Sequence, residues 1–211
     1  GNGEDGLHLA YSYDGYHWSD LERVSLRPQV GVGKLMRDPC LIQCADGSFH
    51  MVWTAGWWEK GIGYANSRDL ITWSKQKYIE VMAHEPQAKN CWAPEVFYDQ
   101  GKAQFLIFWA TTIPGRFPET EKQGDNNHRI YYVTTKDFES FSKAKLLYEH
   151  GFNVIDSTIV RDGDRYVMFL TDETGQPPEK NIRLATATSA EGPYSRPSEP
   201  ITGQYWAEGP T

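Results

Sequence analysis

The sequence predicts an all-β protein built as a β-propeller, and three observations carry that expectation. Apolar stretches alternate with polar turns throughout, Gly and Pro interrupt every stretch long enough to be a helix, and two kinds of segment recur in a fixed order. The first kind is an extended apolar run, a polar turn and a second apolar run. It occurs as DPCLIQCADGSFHMVWT from Asp38, APEVFYDQGKAQFLIFWATT from Ala93 and DSTIVRDGDRYVMFLTDE from Asp156. The turns, Asp46-Gly47, Gln100-Gly101 and Asp162-Gly163, are flanked by β-branched and aromatic residues, the pattern of a β-hairpin.

The second kind is a strand, a polar turn, then an aromatic and a serine. It occurs as LAYSYDGYHWS from Leu9, IGYANSRDLITWS from Ile62, IYYVTTKDFESFS from Ile130 and IRLATATSAEGPYS from Ile182. Successive copies lie roughly 50 to 70 residues apart, a period at which repeats build propellers. Alternating the two kinds gives units of about four strands, the size of a propeller blade. A β-sandwich accommodates many short strands, but not their repeated order.

In chain order, Leu7 to Trp18 is an outer-strand segment with no hairpin before it, expected to latch the last blade of a ring. Three blades follow, and YWAEGPT (Tyr205 to Thr211) begins a fourth. The expectation is one domain over residues 1–211, comprising a closing strand, three blades and the start of a fourth, with the rest of blades four and five outside the chain.

Composition narrows the function. Hydrophobic residues at 39% and charged residues at 23% describe a globular chain, not a disordered one. The net charge is −7 and the basic residues are dispersed, which argues against a nucleic-acid partner. No apolar stretch approaches the ~20 residues that span a bilayer, and GNGEDGLH is neither a signal peptide nor a targeting helix. Cys40, Cys44 and Cys91 form no C-x-x-C pair and are expected as buried free thiols, with neither a disulfide framework nor a structural zinc. Aromatics at 14% suit both a pleated core and a surface on which sugar rings stack.

Position within the repeat then becomes chemical information. The first strand of each blade lines the axis, so residues that open successive blades converge. The openings carry Asp38 in MRDPC, Glu95 in CWAPE, Asp156 in VIDST and Glu208 in AEGPT. Converging carboxylates repel, so their protonation separates, leaving one protonated and another ionised near neutrality. Hydrolysis of a glycosidic bond uses that pairing: one acid protonates the leaving oxygen and another carboxylate activates water. Plainer readings stand beside each residue. Asp38 precedes Pro39 and would form a turn. Asp156 interrupts an apolar strand, where a charge is costly unless paired or functional. The Glu-Gly-Pro of Glu208 recurs at Glu191 to Pro193 in an outer turn.

Together MRDPCLIQ, NCWAPEVF, NVIDSTIV and YWAEGP resemble the blade-opening motifs of glycoside hydrolase family 43, over essentially the whole chain from Leu7 to Thr211. The resemblance implies a five-bladed β-propeller that cleaves arabinofuranosyl or xylosyl linkages of plant polysaccharides with inversion. By position it implies Asp38 as general base, Asp156 as the acid that tunes pKa and orients the general acid, and Glu208 as the general acid. It also makes Trp92, in Trp92-Ala93-Pro94, a substrate contact, while Glu95 either bonds sugar hydroxyls or supports its strand. Trp57 and Trp58 in TAGWWEKG, and Phe117 in the long loop from Ile113 to Arg129, are further candidates to line a sugar pocket. Arg116, Asn126, Asn127 and His128 of that loop are candidates to bind a substrate branch. No cofactor is required; a structural calcium ion at the axis is compatible with the resemblance, but the sequence nominates no ligand set for a metal. The implied partner is an oligo- or polysaccharide, and the implied setting extracellular or periplasmic. SYDGYHW echoes an Asp-box turn of sialidases, yet neither an arginine cluster nor a tyrosine nucleophile can be placed. The alternative from another class is a non-catalytic carbohydrate-binding propeller, or an inactive fragment of such an enzyme.

Overall fold

The run FLIFWA, Phe105 to Ala110, is apolar at every position, and in the computed structural model every one of these residues is buried. The structure describes residues 2–124, 126–175, 179–203 and 205–210. The run is explained by a strand covered on both faces, because side chains alternate sides along a strand. Leu106, Phe108 and Ala110 pack into one core with Ile159, Met168 and Leu170. Ile107 and Trp109 point the other way, into a core with Val52, Ile62 and Tyr64.

These cores separate successive antiparallel sheets. Strands β1 (Leu7–Tyr11) and β2 (Ser19–Leu26) pair as a two-stranded sheet. The first four-stranded meander contains β3 (Arg37–Gln43), β4 (Phe49–Thr54), β5 (Ile62–Ser67) and β6 (Lys77–Ile79). The second contains β7 (Trp92–Asp99), β8 (Gln104–Thr112), β9 (His128–Thr135) and β10 (Lys145–Tyr148). The third sheet is β11 (Val154–Asp162), β12 (Arg165–Asp172) and β13 (Asn181–Ala187). No helix occurs among the described residues, and no helix is long and apolar enough to cross a membrane.

The sheets follow one another face to face. Met51 and Trp53 of β4 pack with Leu7, Leu9 and Leu26 of the β1–β2 sheet, while Val52 turns toward the second meander. The first strands, β3, β7 and β11, lie side by side. That juxtaposition, set by sheet packing, brings residues more than fifty positions apart to one place. Each hairpin turn falls where the sequence puts it: Gly47 and Gly163 take φ of +81° and +58°, the left-handed backbone that tight turns demand.

Two expectations are corrected. The opening segment is two strands, not one, because the turn after β1 leads into Ser19–Leu26, which pairs back on β1. The third unit has three regular strands where four were expected. Its fourth edge is a segment broken by Pro193, Pro197 and Pro200, which lack a donor for the ladder. The N–H groups of Ser195, Ser198 and Ile201 still bond Thr186, Leu184 and Ile182 of β13, at 2.8, 2.8 and 2.9 Å.

One turn design joins the third and fourth strands of the meanders and recurs between β1 and β2. Ser67 donates to the Thr72 carbonyl at 2.7 Å and accepts the N–H groups of Asp69 and Leu70. Asp69 accepts those of Ile71 and Thr72. Ser12 with Asp14, and Thr135 with Asp137, repeat the arrangement. Ser67 is buried, so Ser67→Ala strands backbone donors and is expected to lower unfolding free energy by about 1–2 kcal/mol. Urea denaturation of the variant checks this.

Candidate active site

Each unit opens on the same irregularity. Pairing with the second strand skips between Arg37 and Cys40, between Trp92 and Glu95, and between Ile155 and Thr158. The residue following the first of each pair is left-handed: Asp38 at φ +47°, Ala93 at +46° and Asp156 at +46°. A left-handed residue with a side chain costs roughly 1–2 kcal/mol, and Asp tolerates that region better than most residues. The bulge leaves its extra residue out of the ladder and re-aims the side chain. It also explains how Pro39 and Pro94 sit inside strands, since no N–H is demanded there.

The equivalent positions are therefore Asp38, Ala93 and Asp156. Glu95 stands two residues further in, at the place of Cys40 and Thr158. These three touch: Thr158 donates to Glu95 Oε2 at 3.0 Å, and the Cys40 thiol lies beside the same carboxyl. Burial raises the pKa of Glu95, and burial followed by the Glu95 charge pushes the Cys40 thiol up to about 12. Cys40 and Cys44 are half-buried and Cys91 is buried; all three are free thiols.

Asp38 and Asp156 share a cavity of about 200 Å³, walled also by Pro39, Ala93, Glu95 and Gly209. Asp38 is exposed to this space, and its Oδ2 accepts the Thr54 hydroxyl at 3.0 Å. Thr54 is buried, and its oxygen in turn accepts the Ala93 N–H at 2.9 Å. A hydroxyl has one proton; with its oxygen engaged by Ala93, that proton is directed at Asp38. Asp156 is half-buried, and its carboxyl is pushed up to about 7. Burial is the main cause, followed by the negative charges of Asp38, Glu173 and Glu208, with Lys180 opposing them.

Glu208 is not among the residues that wall the cavity, to which its own segment contributes Gly209 and Pro210. Its exposed carboxylate pairs with Lys180 Nζ at 2.6 Å, and Lys180 lies 3.9 Å from Glu173. The segment is pinned by the Ala207 N–H donated to the Lys180 carbonyl at 2.9 Å. Gly209, at φ +66° before Pro210, repeats the left-handed step of Asp38 before Pro39. Glu208 accordingly stands one residue earlier in its unit than the two aspartates.

Three predicted aromatics meet at this end of the molecule. The Trp92 indole donates to the Trp57 carbonyl at 2.6 Å and lies 5.8 Å from the Trp57 ring and 5.3 Å from the Trp58 ring. The Arg37 guanidinium, adjacent to Asp38, stacks on Trp57 at 4.5 Å. Trp57 and Trp58 are exposed, and Trp92 is half-buried. Phe117 is elsewhere engaged, with the guanidinium of fully buried Arg129 on its ring at 4.4 Å. Its loop is held by internal bonds from Arg129 to Asn127 and Thr120, and is tied to the preceding segment by Arg116 to Glu85. Asn127 and His128 are buried, whereas Asn126 borders an open hollow beside Trp92.

Thr54, Glu173 and Lys180 belong to the site without a signal in the repeat. Thr54 reads as the end of an apolar strand, and Lys180 follows a polar stretch with no periodicity. Among the described residues, no group of three or more His, Cys, Asp or Glu side chains is placed to hold a metal ion.

Repeated antiparallel units, paired aspartates at matching bulges and a tryptophan cluster beside them describe a carbohydrate-active domain. The whole chain, residues 1–211, matches the family model described as "Probable glycosyl hydrolase domain", related to glycoside hydrolase family 43, and the chain belongs to that family. An alpha-L-arabinofuranosidase of Bifidobacterium longum subsp. longum is 25% identical over 118 residues, 52% of this chain and 11% of that protein. Among solved structures, the endo-1,5-alpha-L-arabinanase of Thermotoga petrophila RKU-1 superposes with a TM-score of 0.62 at 19% identity, covering 89% of this chain and 48% of that one. The alpha-L-arabinofuranosidase arb93a of Fusarium graminearum gives 0.61 at 13% identity, covering 89% and 56%. These likenesses to solved structures are likenesses of fold, and the chain spans about half the length of those two structures.

Proposed function

We propose that this chain forms part of a five-bladed propeller glycosidase that cleaves α-L-arabinofuranosyl linkages with inversion, with xylosyl linkages as the second choice. The observation that carries the reading is the convergence of Asp38 and Asp156, from matching bulges of two units, on one cavity. The names of the relatives favour arabinose. In this mechanism Asp38 accepts a proton from water as the water oxygen attacks the anomeric carbon, and the bond to the leaving oxygen breaks with proton donation from Glu208. Thr54 fixes the Asp38 carboxylate, and Asp156 supplies the local field. Glu208 pairs with Lys180 in the resting arrangement, so proton delivery requires that pair to open, with Glu173 as the alternative partner for Lys180.

Both catalytic functions belong to carboxyl groups, so the chemistry needs no cofactor; a calcium ion would act structurally. Trp57, Trp58 and Trp92 present ring surface to a sugar. Polymeric substrate places the reaction extracellularly or in the periplasm. Incubating the protein with 4-nitrophenyl α-L-arabinofuranoside, 4-nitrophenyl β-D-xyloside and linear arabinan, with proton NMR of the nascent product, tests the reading. The expected result is arabinose release with the anomeric configuration inverted. Sugar binding without hydrolysis would favour the non-catalytic carbohydrate-binding alternative.

A further inference from the structure

Fully buried His128, the first residue of β9, carries a proton that its own surroundings do not use. Asn90 is fixed by the Thr112 N–H, which donates to its Oδ1 at 3.0 Å, so its Nδ2 meets His128 Nε2, also at 3.0 Å, as a donor. Nε2 therefore accepts, and the ring proton belongs to Nδ1. Nδ1 is buried without a hydrogen-bond partner among the described residues. An unpaired buried donor is costly, and a folded chain keeps few of them. Glu173 Oε2 lies 3.7 Å from it. That is too long for a hydrogen bond, but a carboxylate shift of about 1 Å closes one.

The backbones of the two residues are held in register through Asn153. It accepts the His128 N–H at 2.8 Å, donates to the Glu173 carbonyl at 3.0 Å, and accepts the Glu173 N–H on its own carbonyl at 2.9 Å. Trp92 packs beside the imidazole, 5.0 Å away between ring centroids. The Glu173 carboxylate, 30% exposed, has room to move. Its Oε1 lies 3.9 Å from Lys180 Nζ, which pairs with Glu208 at 2.6 Å. The bond to Glu208, then the charges of Glu208, Glu173 and Asp156, hold Lys180 in its charged form. The other charged groups nearby are committed elsewhere. Glu179 accepts the Asn181 amide at 3.0 Å and faces Arg183, while Arg129 directs its guanidinium to Asn127, Thr120 and Glu149. Thr174, between these carboxylates, gives its N–H to Asp172.

We infer that His128 is a positioning residue: its Nδ1–H closes on the Glu173 carboxylate and so leaves Lys180 to Glu208. Without that donor, Glu173 draws Lys180 across and Glu208 is released. The consequence for catalysis rests on the glycosidase reading, in which Glu208 is the general acid; the contact itself does not.

Nitrogen-15 NMR of the imidazole and of Lys180 Nζ reads both steps without turnover. The expected result is a proton on Nδ1 and none on Nε2, with coupling through the hydrogen bond from Lys180 Nζ to the Glu208 carboxyl carbon. An Asn amide, one bond beyond Cγ, puts its nitrogen where Nδ1 stands; a Gln amide, one bond further, puts its oxygen where Nε2 stands. His128→Gln keeps the Asn90 bond and loses the donor, and should move the Lys180 coupling to Glu173. His128→Asn should leave it on Glu208, and so should His128→Gln combined with Glu173→Gln. In turnover, His128→Gln should carry the alkaline fall of kcat up by about 1 pH unit, and His128→Asn should not. A purely structural role would damage both variants alike and move neither profile. A ring proton on Nε2 of the unaltered protein overturns the proposal even where no variant folds. So does a Lys180 that stays on Glu208 in His128→Gln, or that leaves it in the Glu173→Gln background. The expected couplings without hydrolysis of any arabinoside would overturn the glycosidase reading and leave the His128–Glu173 contact in place.

Discussion

Asp38→Asn is expected to lower kcat on an aryl arabinofuranoside by about 10²–10⁴, the range that a positioned general base contributes. The substitution is nearly isosteric, the residue is exposed, and an Asn oxygen at the same place can still accept the Thr54 proton. Folding should therefore be unaffected, and the loss should appear in kcat with little change in KM. The amide cannot take a proton from the attacking water, and the negative charge that helps raise Asp156 goes with it. Thr54→Val separates positioning from proton transfer. It leaves Asp38 chemically intact but loses the directed hydroxyl, and it leaves the Ala93 N–H without its acceptor, at a cost of about 1–3 kcal/mol if no water replaces it. Thr54→Ser restores the hydroxyl and should restore the rate. Rate profiles against pH, with circular dichroism as a control, decide the matter. Near-normal turnover by Asp38→Asn would remove Asp38 from the mechanism.

Much of this was legible in the repeat. A hairpin and a strand–turn–strand have their own local signals, so the positions of β3 through β12 follow from alternation and Gly-containing turns. The meeting of Asp38 with Asp156 was legible because matching places in repeated units meet when the units pack around a common line. The finer alignment was not. The composition of the openings suggests an acid in each, but the backbone aligns Asp38 with Ala93 and Asp156, and shifts Glu95 two residues inward. Bulge register is decided by which residue leaves the ladder, and only the Asp-Pro and Ala-Pro pairs hint at it. Thr54 and Lys180 were illegible for another reason: their roles depend on partners 16 and 28 residues away that no periodicity links. The third unit lost its fourth regular strand to three prolines, a backbone effect that an aromatic-and-serine signature does not register. Phe117 shows the converse limit. An aromatic in a long polar loop reads as a binding surface, yet its ring is covered by a guanidinium that the sequence places twelve residues on.

Asp156→Asn should abolish the pH dependence that this residue imposes on stability. The folded protein holds the Asp156 proton to about 7, against 3.8 for an ordinary Asp. Between those values the folded state carries a proton that the unfolded state has released, so unfolding free energy falls as pH rises. The contribution is fully present below about 4 and gone above about 7. At 1.36 kcal/mol for each tenfold change, its upper limit is about 4 kcal/mol, and water entering the cavity reduces it. Asparagine is neutral throughout, as the protonated acid is, and it removes the repulsion from Asp38, Glu173 and Glu208 that helps raise Asp156. Urea unfolding at pH 5 and pH 8 is the measurement. Asp156→Asn should be the more stable at both values, by a smaller margin at pH 5 than at pH 8. A variant that is less stable at both values would mean that Asp156 is paired and ionised in the folded state. In that case the convergence of carboxylates would be a structural ion-pair network, and the catalytic reading would lose its strongest support. If the slope disappears while turnover also collapses, one residue is shown to trade stability for the field that the chemistry needs, the relation expected where like charges are held together for a reaction.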